Sequence, residues 1–227
     1  MIGDKSLPTP KVVAADHDLL ERLIRRSHTI CLLILSKIEG HLGLETGKLA
    51  SLHRLEQASA DQLRLLKMSP QPEDDRRTSL LAHTDIGSVT LLWNILGGLQ
   101  ILPPGNDGDV NASDAWEYVQ PQSGCAIVNM GDAMVHFSNG VIRSNLHRVG
   151  YAPGLQGLQD RYSIAYFARP EDEVVMEGLG LKGKESQQGR ALVPKMTASE
   201  WAAMKVEMYQ NGLGVMKSSG GTTTVGA

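Results

Sequence analysis

"LLAHTDIGSVTLLW", Leu80–Trp93, is the stretch on which the reading of this chain turns. It is an apolar, strand-like run that carries His83 and Asp85 two residues apart. A half-buried strand favours Val, Thr or Leu at such places, and burying an imidazole and a carboxylate costs free energy unless both find partners. Either the pair binds something, or it stands at a strand end where water satisfies it. On a strand, side chains at i and i+2 project from one face. The pair would then offer a divalent metal an imidazole nitrogen and a carboxylate oxygen side by side. Alone, H-x-D is a weak motif, and a third ligand must come from elsewhere.

Outward from this run the texture is that of a β protein. "QLRLLKM", "SLLAHT", "SVTLLW", "GLQIL", "AWEYVQ", "GCAIVNM", "NLHRVGY" and "RYSIAYFA" are short strand-like runs. Turn-rich stretches such as "LPPGNDGD", "SNG" and "YAPG" separate them, a pattern that predicts a sandwich or barrel. Upstream, Leu20, Leu23, Ile24, Cys31, Ile34, Leu35 and Ile38 recur at three and four. This spacing predicts a long amphipathic helix from Asp18 to about Glu39, stopped by Gly40. A shorter helical piece is expected through "LETGKLASLHRL". Downstream, Thr197 and Glu200 form a capping box, with Met196 and Trp201 at the staple positions, and Asn211-Gly212 should end that helix. The expected organisation is a helical support over residues 1–60, a β core over 61–170, an extension with a helix over 171–216 and a disordered tail over 217–227. The fold class is mainly β with flanking helices.

Composition narrows the partners. The 227 residues are 41% hydrophobic and 21% charged, ordinary for a soluble globular chain. With a formal net charge of −3 and no Lys/Arg stripe, neither nucleic acid nor an anionic membrane is the expected partner. No apolar stretch reaches the ~18 residues of a membrane span, and "MIGDKSLPTPKVV" does not read as a secretory signal. Cys31 and Cys125, the only cysteines, are expected as two buried free thiols in a reducing, cytoplasmic setting.

The third ligand is sought among seven histidines. His17, His28, His41 and His53 fall in the helical part, where solvated or hydrogen-bonded histidines are the default. His147 follows a tight turn at Asn139-Gly140 and shares a strand face with Asn145 and Val149. His136, in the apolar "MVHF", is the less favoured alternative. Two histidines and one carboxylate leave about three open octahedral positions, the arrangement of non-haem Fe(II) centres that activate O₂. A structural zinc site is usually closed by four protein ligands, while a hydrolytic zinc site remains chemically open. Further on, Arg161 and Ser163 share a strand face. An arginine in an apolar strand needs an anion, and a planar guanidinium pairs bidentately with a carboxylate. The plain alternative is an edge-strand arginine pointing into water.

Taken together, H-T-D, G-L-Q, V-N-x-G-D, S-N-G, H-R-V and R-x-S, in that order, resemble the 2-oxoglutarate/Fe(II)-dependent dioxygenases of the isopenicillin N synthase-like superfamily, above all fungal ones. The resemblance is strong from about Gln62 to Pro170. It implies a double-stranded β-helix, or jelly-roll, core preceded by a long helix, with His83, Asp85 and His147 as iron ligands and His136 set aside. It implies that Arg161 and Ser163 bind the distal carboxylate of 2-oxoglutarate. Fe(II), 2-oxoglutarate and O₂ would be the cofactor and co-substrates, with ascorbate as a possible reductant. The implied reaction hydroxylates, desaturates or cyclises a small-molecule, secondary-metabolite substrate and releases succinate and CO₂. Two other readings stay open: an oxidase that uses no 2-oxoglutarate, and an inactive truncated member. Met68 stands where many members carry a co-substrate-binding Tyr. Full-length relatives also have a further N-terminal region, so an exposed apolar surface is expected, on a chain that is a monomer or weakly self-associating.

Overall fold

Period-two alternation in the eight strand-like runs becomes eight strands in the computed structural model, which describes residues 10–71, 78–104, 113–179 and 195–211. They are β1 (Gln62–Met68), β2 (Leu80–His83), β3 (Val89–Asn94), β4 (Leu99–Ile101), β5 (Glu117–Tyr118), β6 (Ile127–Met130), β7 (His147–Val149) and β8 (Arg161–Ala168). They form two four-stranded antiparallel sheets, ordered β1-β8-β3-β6 and β2-β7-β4-β5. Inward residues of β8, namely Arg161, Ser163, Ala165 and Phe167, line a cavity that residues of the second sheet also line. Between them in sequence, Tyr166 faces the other way and is buried with Leu91 and Ala168 in the main apolar core.

Four helices surround the sheets: α1 (Lys11–Ala15), α2 (His17–Leu42), α3 (Asp132–Phe137) and α4 (Ala198–Gln210). Helix α2 buries Ser27, His28, Cys31, Leu35, Glu39 and Leu42, one stripe at helical spacing. Cys31 and Leu35 are fully buried in the same core as Leu91 and Tyr166, worth about 1.5–3 kcal/mol for the leucine alone.

The helix does not stop at Gly40. It runs on to Leu42 and is capped by Gly43 at φ 69°, with Leu44 N–H returning to the Glu39 carbonyl. Burial of Glu39 and Leu42 outweighs the roughly 1 kcal/mol that a mid-helix glycine costs, and the left-handed cap needs a residue without Cβ. The helical piece expected after it is a turn with three 3₁₀ residues, Ala50–Leu52. The buried Glu39 carboxylate takes the N–H groups of Gly47, Leu49 and Ala50, which fixes that segment as a loop wrapped on an anion.

Helix α3, which the sequence reading did not anticipate, takes up the apolar "MVHF". Its first N–H groups have no intrahelical acceptors, and they find the turn after β2: Asp132 N–H donates to the Asp85 carbonyl and Ala133 N–H to that of Gly87. The approach is so close that a Cβ on Gly131 would lie 2.1 Å from the Gly87 carbonyl oxygen. The capping box of α4 is present in both directions, Thr197 Oγ1 accepting from Glu200 N and Glu200 Oε2 from Thr197 N. Helix α4 is tied back to the sheets. Lys205 Nζ donates to Asp132 Oδ2 at 2.6 Å, and Tyr209 Oη donates to the Thr84 carbonyl at 2.9 Å.

Both cysteines are free. Cys31 is buried as expected, but Cys125 is exposed, because it sits beside the Gly124 turn ahead of β6. Gly212 and the tail expected to be disordered lie outside the described residues.

Candidate active site

The register of the second sheet sets His83 opposite His147. The two are partners across the β2–β7 ladder, where a bulge follows Leu80, and their ring centroids are 4.3 Å apart. Asp85 stands beyond the end of β2, in the turn that α3 clamps, so the pair converges at a strand end and not along a strand. This is a correction to the single-face picture. The carboxylate is nonetheless buried, and protein groups satisfy it. Each histidine Nε2 is 3.9 Å from Asp85 Oδ1, and one ligand atom from each of the three residues lies within 4.8 Å of the others.

The hydrogen bonds around these residues decide which atoms are left over. His83 Nδ1 meets the Leu81 carbonyl at 2.8 Å, and His147 Nδ1 meets that of Asn145 at 3.0 Å. A carbonyl can only accept, so both rings carry a proton on Nδ1 and turn Nε2 inward as the atom open to a metal. Burial, then the neighbouring His147, pushes the His83 pKa down and keeps the ring neutral. Asp85 Oδ2 accepts from Thr90 Oγ1 at 2.6 Å and Asn129 Nδ2 at 2.7 Å. Burial alone would raise the Asp85 pKa; His147, these two donors and His83 outweigh it and hold the carboxyl below its ordinary value. Oδ2 belongs to the scaffold and Oδ1 is available. Two imidazole nitrogens and one carboxylate oxygen suit a divalent transition metal with open coordination positions, and the second bonds of each ligand hold it in place.

Arg161 and Ser163 lie in the same cavity, 6% and 5% exposed. Arg161 Nε donates to the Gly97 carbonyl at 2.8 Å, which anchors the guanidinium. Its Nη2 is buried and meets no protein acceptor, and burial depresses its pKa. A buried guanidinium with an unused N–H edge is a receptor for a carboxylate. Met68 is its register partner on β1 and lines the same cavity. The cavity is about 490 Å³ and otherwise walled by Leu66, Leu80, Leu92, Leu99, Ile101 and Ile127 among others.

His136 is elsewhere. It lies on α3, packed edge-on against Trp201 at 5.2 Å, and burial lowers its pKa to about 4. Thr90, Asn129 and Gly97 are site residues that sequence reasoning gave no role. Thr90 and Asn129 carried the signal that singled out His83 and Asp85, a polar side chain in an apolar strand, and they are direct partners across β3 and β6.

A two-histidine, one-carboxylate cluster inside a jelly-roll sandwich, with a buried arginine in the same cavity, has the donor set associated with non-haem Fe(II) centres. Residues 59–170 match the 2OG-Fe(II) oxygenase superfamily. A 2-oxoglutarate-dependent dioxygenase of Aspergillus fumigatus is 33% identical over 230 residues, covering 92% of this chain and 58% of that protein. The 2-oxoglutarate-dependent dioxygenase iboH of Amanita muscaria is 35% identical over 169 residues, covering 74% of this chain and 79% of that protein. Among solved structures, a full-length Neurospora crassa protein in complex with alpha-KG superposes with a TM-score of 0.71 at 23% identity, covering 86% of this chain and 58% of that one. The chain belongs to the 2OG-Fe(II) oxygenase superfamily. It spans a little over half the length of several of its curated relatives, and 79% of iboH.

Proposed function

We propose that the chain oxidises a small, fairly apolar secondary metabolite, using Fe(II), O₂ and 2-oxoglutarate and releasing succinate and CO₂. What carries this reading is one cavity in which the lone pairs of His83 Nε2, His147 Nε2 and Asp85 Oδ1 converge while buried Arg161 keeps an unused N–H edge. His83, Asp85 and His147 would hold the iron. Arg161 and Ser163 would hold the distal carboxylate of 2-oxoglutarate. Bound iron would supply O₂ activation and C–H oxidation, hydroxylation being the default outcome.

The protein's own part is positioning and exclusion of water. Carbonyls of Leu81 and Asn145 aim the two rings, Thr90 and Asn129 aim Asp85, and Gly97 aims Arg161. Met68 places an apolar side chain beside Arg161, so the guanidinium and Ser163 would bear the co-substrate carboxylate without a tyrosine. Apolar side chains of the wall would help to keep water out once substrate fills the cavity. A small molecule would be the only partner, with no nucleic acid or membrane bound, in the cytoplasm. The net charge of −3 and the two free thiols support this, and among the described residues no helix is long and apolar enough to cross a membrane. Exposed Leu19, Ile30 and Leu33 on α2 support weak self-association at most.

Anaerobic titration of the Fe(II) protein with 2-oxoglutarate, with ascorbate to hold the metal reduced, should produce a metal-to-ligand charge-transfer band. Succinate should appear once air and substrate are admitted. O₂ uptake with a carboxylate substrate and no band would identify an oxidase instead. Iron binding with neither band nor O₂ uptake would identify an inactive member.

A further inference from the structure

The cavity contains more positive charge than the proposed chemistry uses. Its charged lining among the described residues is Arg64, Arg143, Arg161 and Asp85. An iron dication, the Asp85 carboxylate, the two carboxylates of 2-oxoglutarate and Arg161 balance to zero. Arg64 and Arg143 are left over. Both are half-buried, and neither lies within ion-pair distance of a carboxylate among the described residues.

Their contacts are neutral ones. Arg64 stacks its guanidinium over the Phe167 ring at 5.1 Å and gives one Nη2 bond to Gln62 Oε1. Arg143 reaches Asn145 Oδ1 at 2.8 Å and the Leu102 carbonyl at 3.3 Å. These bonds, the Arg64 one solvent-exposed, orient the guanidinium groups without meeting their charge, which on half-buried groups still acts more strongly than in bulk water. Nor can Arg64 share the anion of Arg161. It stands opposite Ala165, four residues along β8 from Arg161, roughly 13 Å on an extended strand, and its guanidinium turns further away, over Phe167. Arg64 comes from β1 of the first sheet and Arg143 from the approach to β7 of the second, and both line the one cavity.

We infer that the prime substrate enters as an anion, an apolar carboxylic acid whose carboxylate is received by Arg64 and Arg143 while its hydrocarbon part lies along the apolar wall. The inference rests on the 2-oxoglutarate reading, because it is the co-substrate that claims Arg161. It explains why an arginine is kept on the inward face of β1, where leucine or valine would pack at no electrostatic cost. The cavity, about 490 Å³, has room for such an acid beside 2-oxoglutarate.

The test uses the full chain loaded anaerobically with Fe(II) and 2-oxoglutarate, and a matched probe pair, 3-phenylpropanoate and its neutral amide 3-phenylpropanamide. Affinities are read from the probe-induced change in the charge-transfer band and checked by ligand-observed NMR on the Zn(II) form. The acid should bind about tenfold or more tightly than the amide, the scale of one charge-assisted hydrogen bond. Arg64→Gln with Arg143→Gln should erase that preference, and Arg64→Lys with Arg143→Lys should restore part of it, with the 2-oxoglutarate band intact in every case. The inference is overturned if acid and amide bind alike, if neither binds, or if the preference survives the double glutamine variant. A protein with no 2-oxoglutarate band, whose acid binding depends on Arg161, sinks the parent reading instead.

Discussion

Replacing Arg161 with Met should stabilise the ligand-free protein while removing its response to 2-oxoglutarate. Arg161 is 6% exposed; among the described residues Nη2 meets no acceptor, and one bond, Nε to the Gly97 carbonyl at 2.8 Å, compensates its burial. An unsatisfied buried donor costs about 1–3 kcal/mol, and the Gly97 bond returns about 1 kcal/mol. Methionine fills similar volume without charge. The variant should therefore be between equal to wild type and about 2 kcal/mol more stable, a shift of up to several degrees in Tm for a chain of this size. Co-substrate reverses the order. At a hundredfold excess over Kd, 2-oxoglutarate adds about 2.7 kcal/mol to whatever binds it, so wild type should overtake the variant. The assay is calorimetric unfolding of both proteins, loaded anaerobically with Fe(II), across a 2-oxoglutarate titration. Two results would refute the reasoning: an Arg161→Met protein that melts well below wild type without ligand, or one whose Tm still climbs with 2-oxoglutarate.

Other consequences can be measured as directly. Asn129→Ala and Thr90→Val each remove one bond that holds Asp85 Oδ2. Each should weaken Fe(II) binding about 10–100-fold in an anaerobic chelator competition, while His136→Ala leaves it near wild type. Lys205→Met removes the cation paired with buried Asp132 and leaves it only the Thr84 hydroxyl among the described residues' side chains, which should cost about 3 kcal/mol in urea unfolding. Burial chiefly holds His53 and His136 below the ordinary 6.5, His136 to about 4. The unfolded chain therefore takes up protons that the folded one refuses, and stability should fall as pH drops from about 6.5 towards 4. The loss should shrink in His136→Phe. Burial and nearby Asp61 raise the Cys31 thiol to about 12, so iodoacetamide should label native protein at exposed Cys125 alone.

Legibility in the sequence followed the range of the interactions concerned. All eight strands could be read because period-two alternation and turn residues are local signals, and the α4 capping box spans only four residues. Helix α3 was missed because six residues of "DAMVHF" have no room to display a helical period. What makes them helical is the set of acceptor carbonyls on the distant 85–87 turn. Gly40 misled because its cost is local while the burial of Leu42 is tertiary. In the site, H-x-D stood out as polar residues in an apolar run, but the pattern left His136 and His147 both standing. The resemblance set His136 aside, and the fold supplies the physical reason: the β2–β7 pairing sets His147 against His83, while α3 packs His136 against Trp201. Thr90 and Asn129 were visible as polar residues in apolar strands, but their role emerges only when the β3–β6 register places them side by side on one carboxylate oxygen.

That arrangement has a mechanical consequence. His83 and His147 belong to β2 and β7 in one sheet, whereas Asp85 is gripped by β3 and β6 of the other. A cation seated among the three would act as a rivet through the sandwich, joining two layers that otherwise meet only through side-chain packing and loops. Its arrival should then be felt at a distance, as slowed amide exchange along β3 and β6, strands that supply no ligand at all. Filling the centre would then stiffen the barrel around it as well, adding to the hydrogen bonds that already hold the three side chains in place.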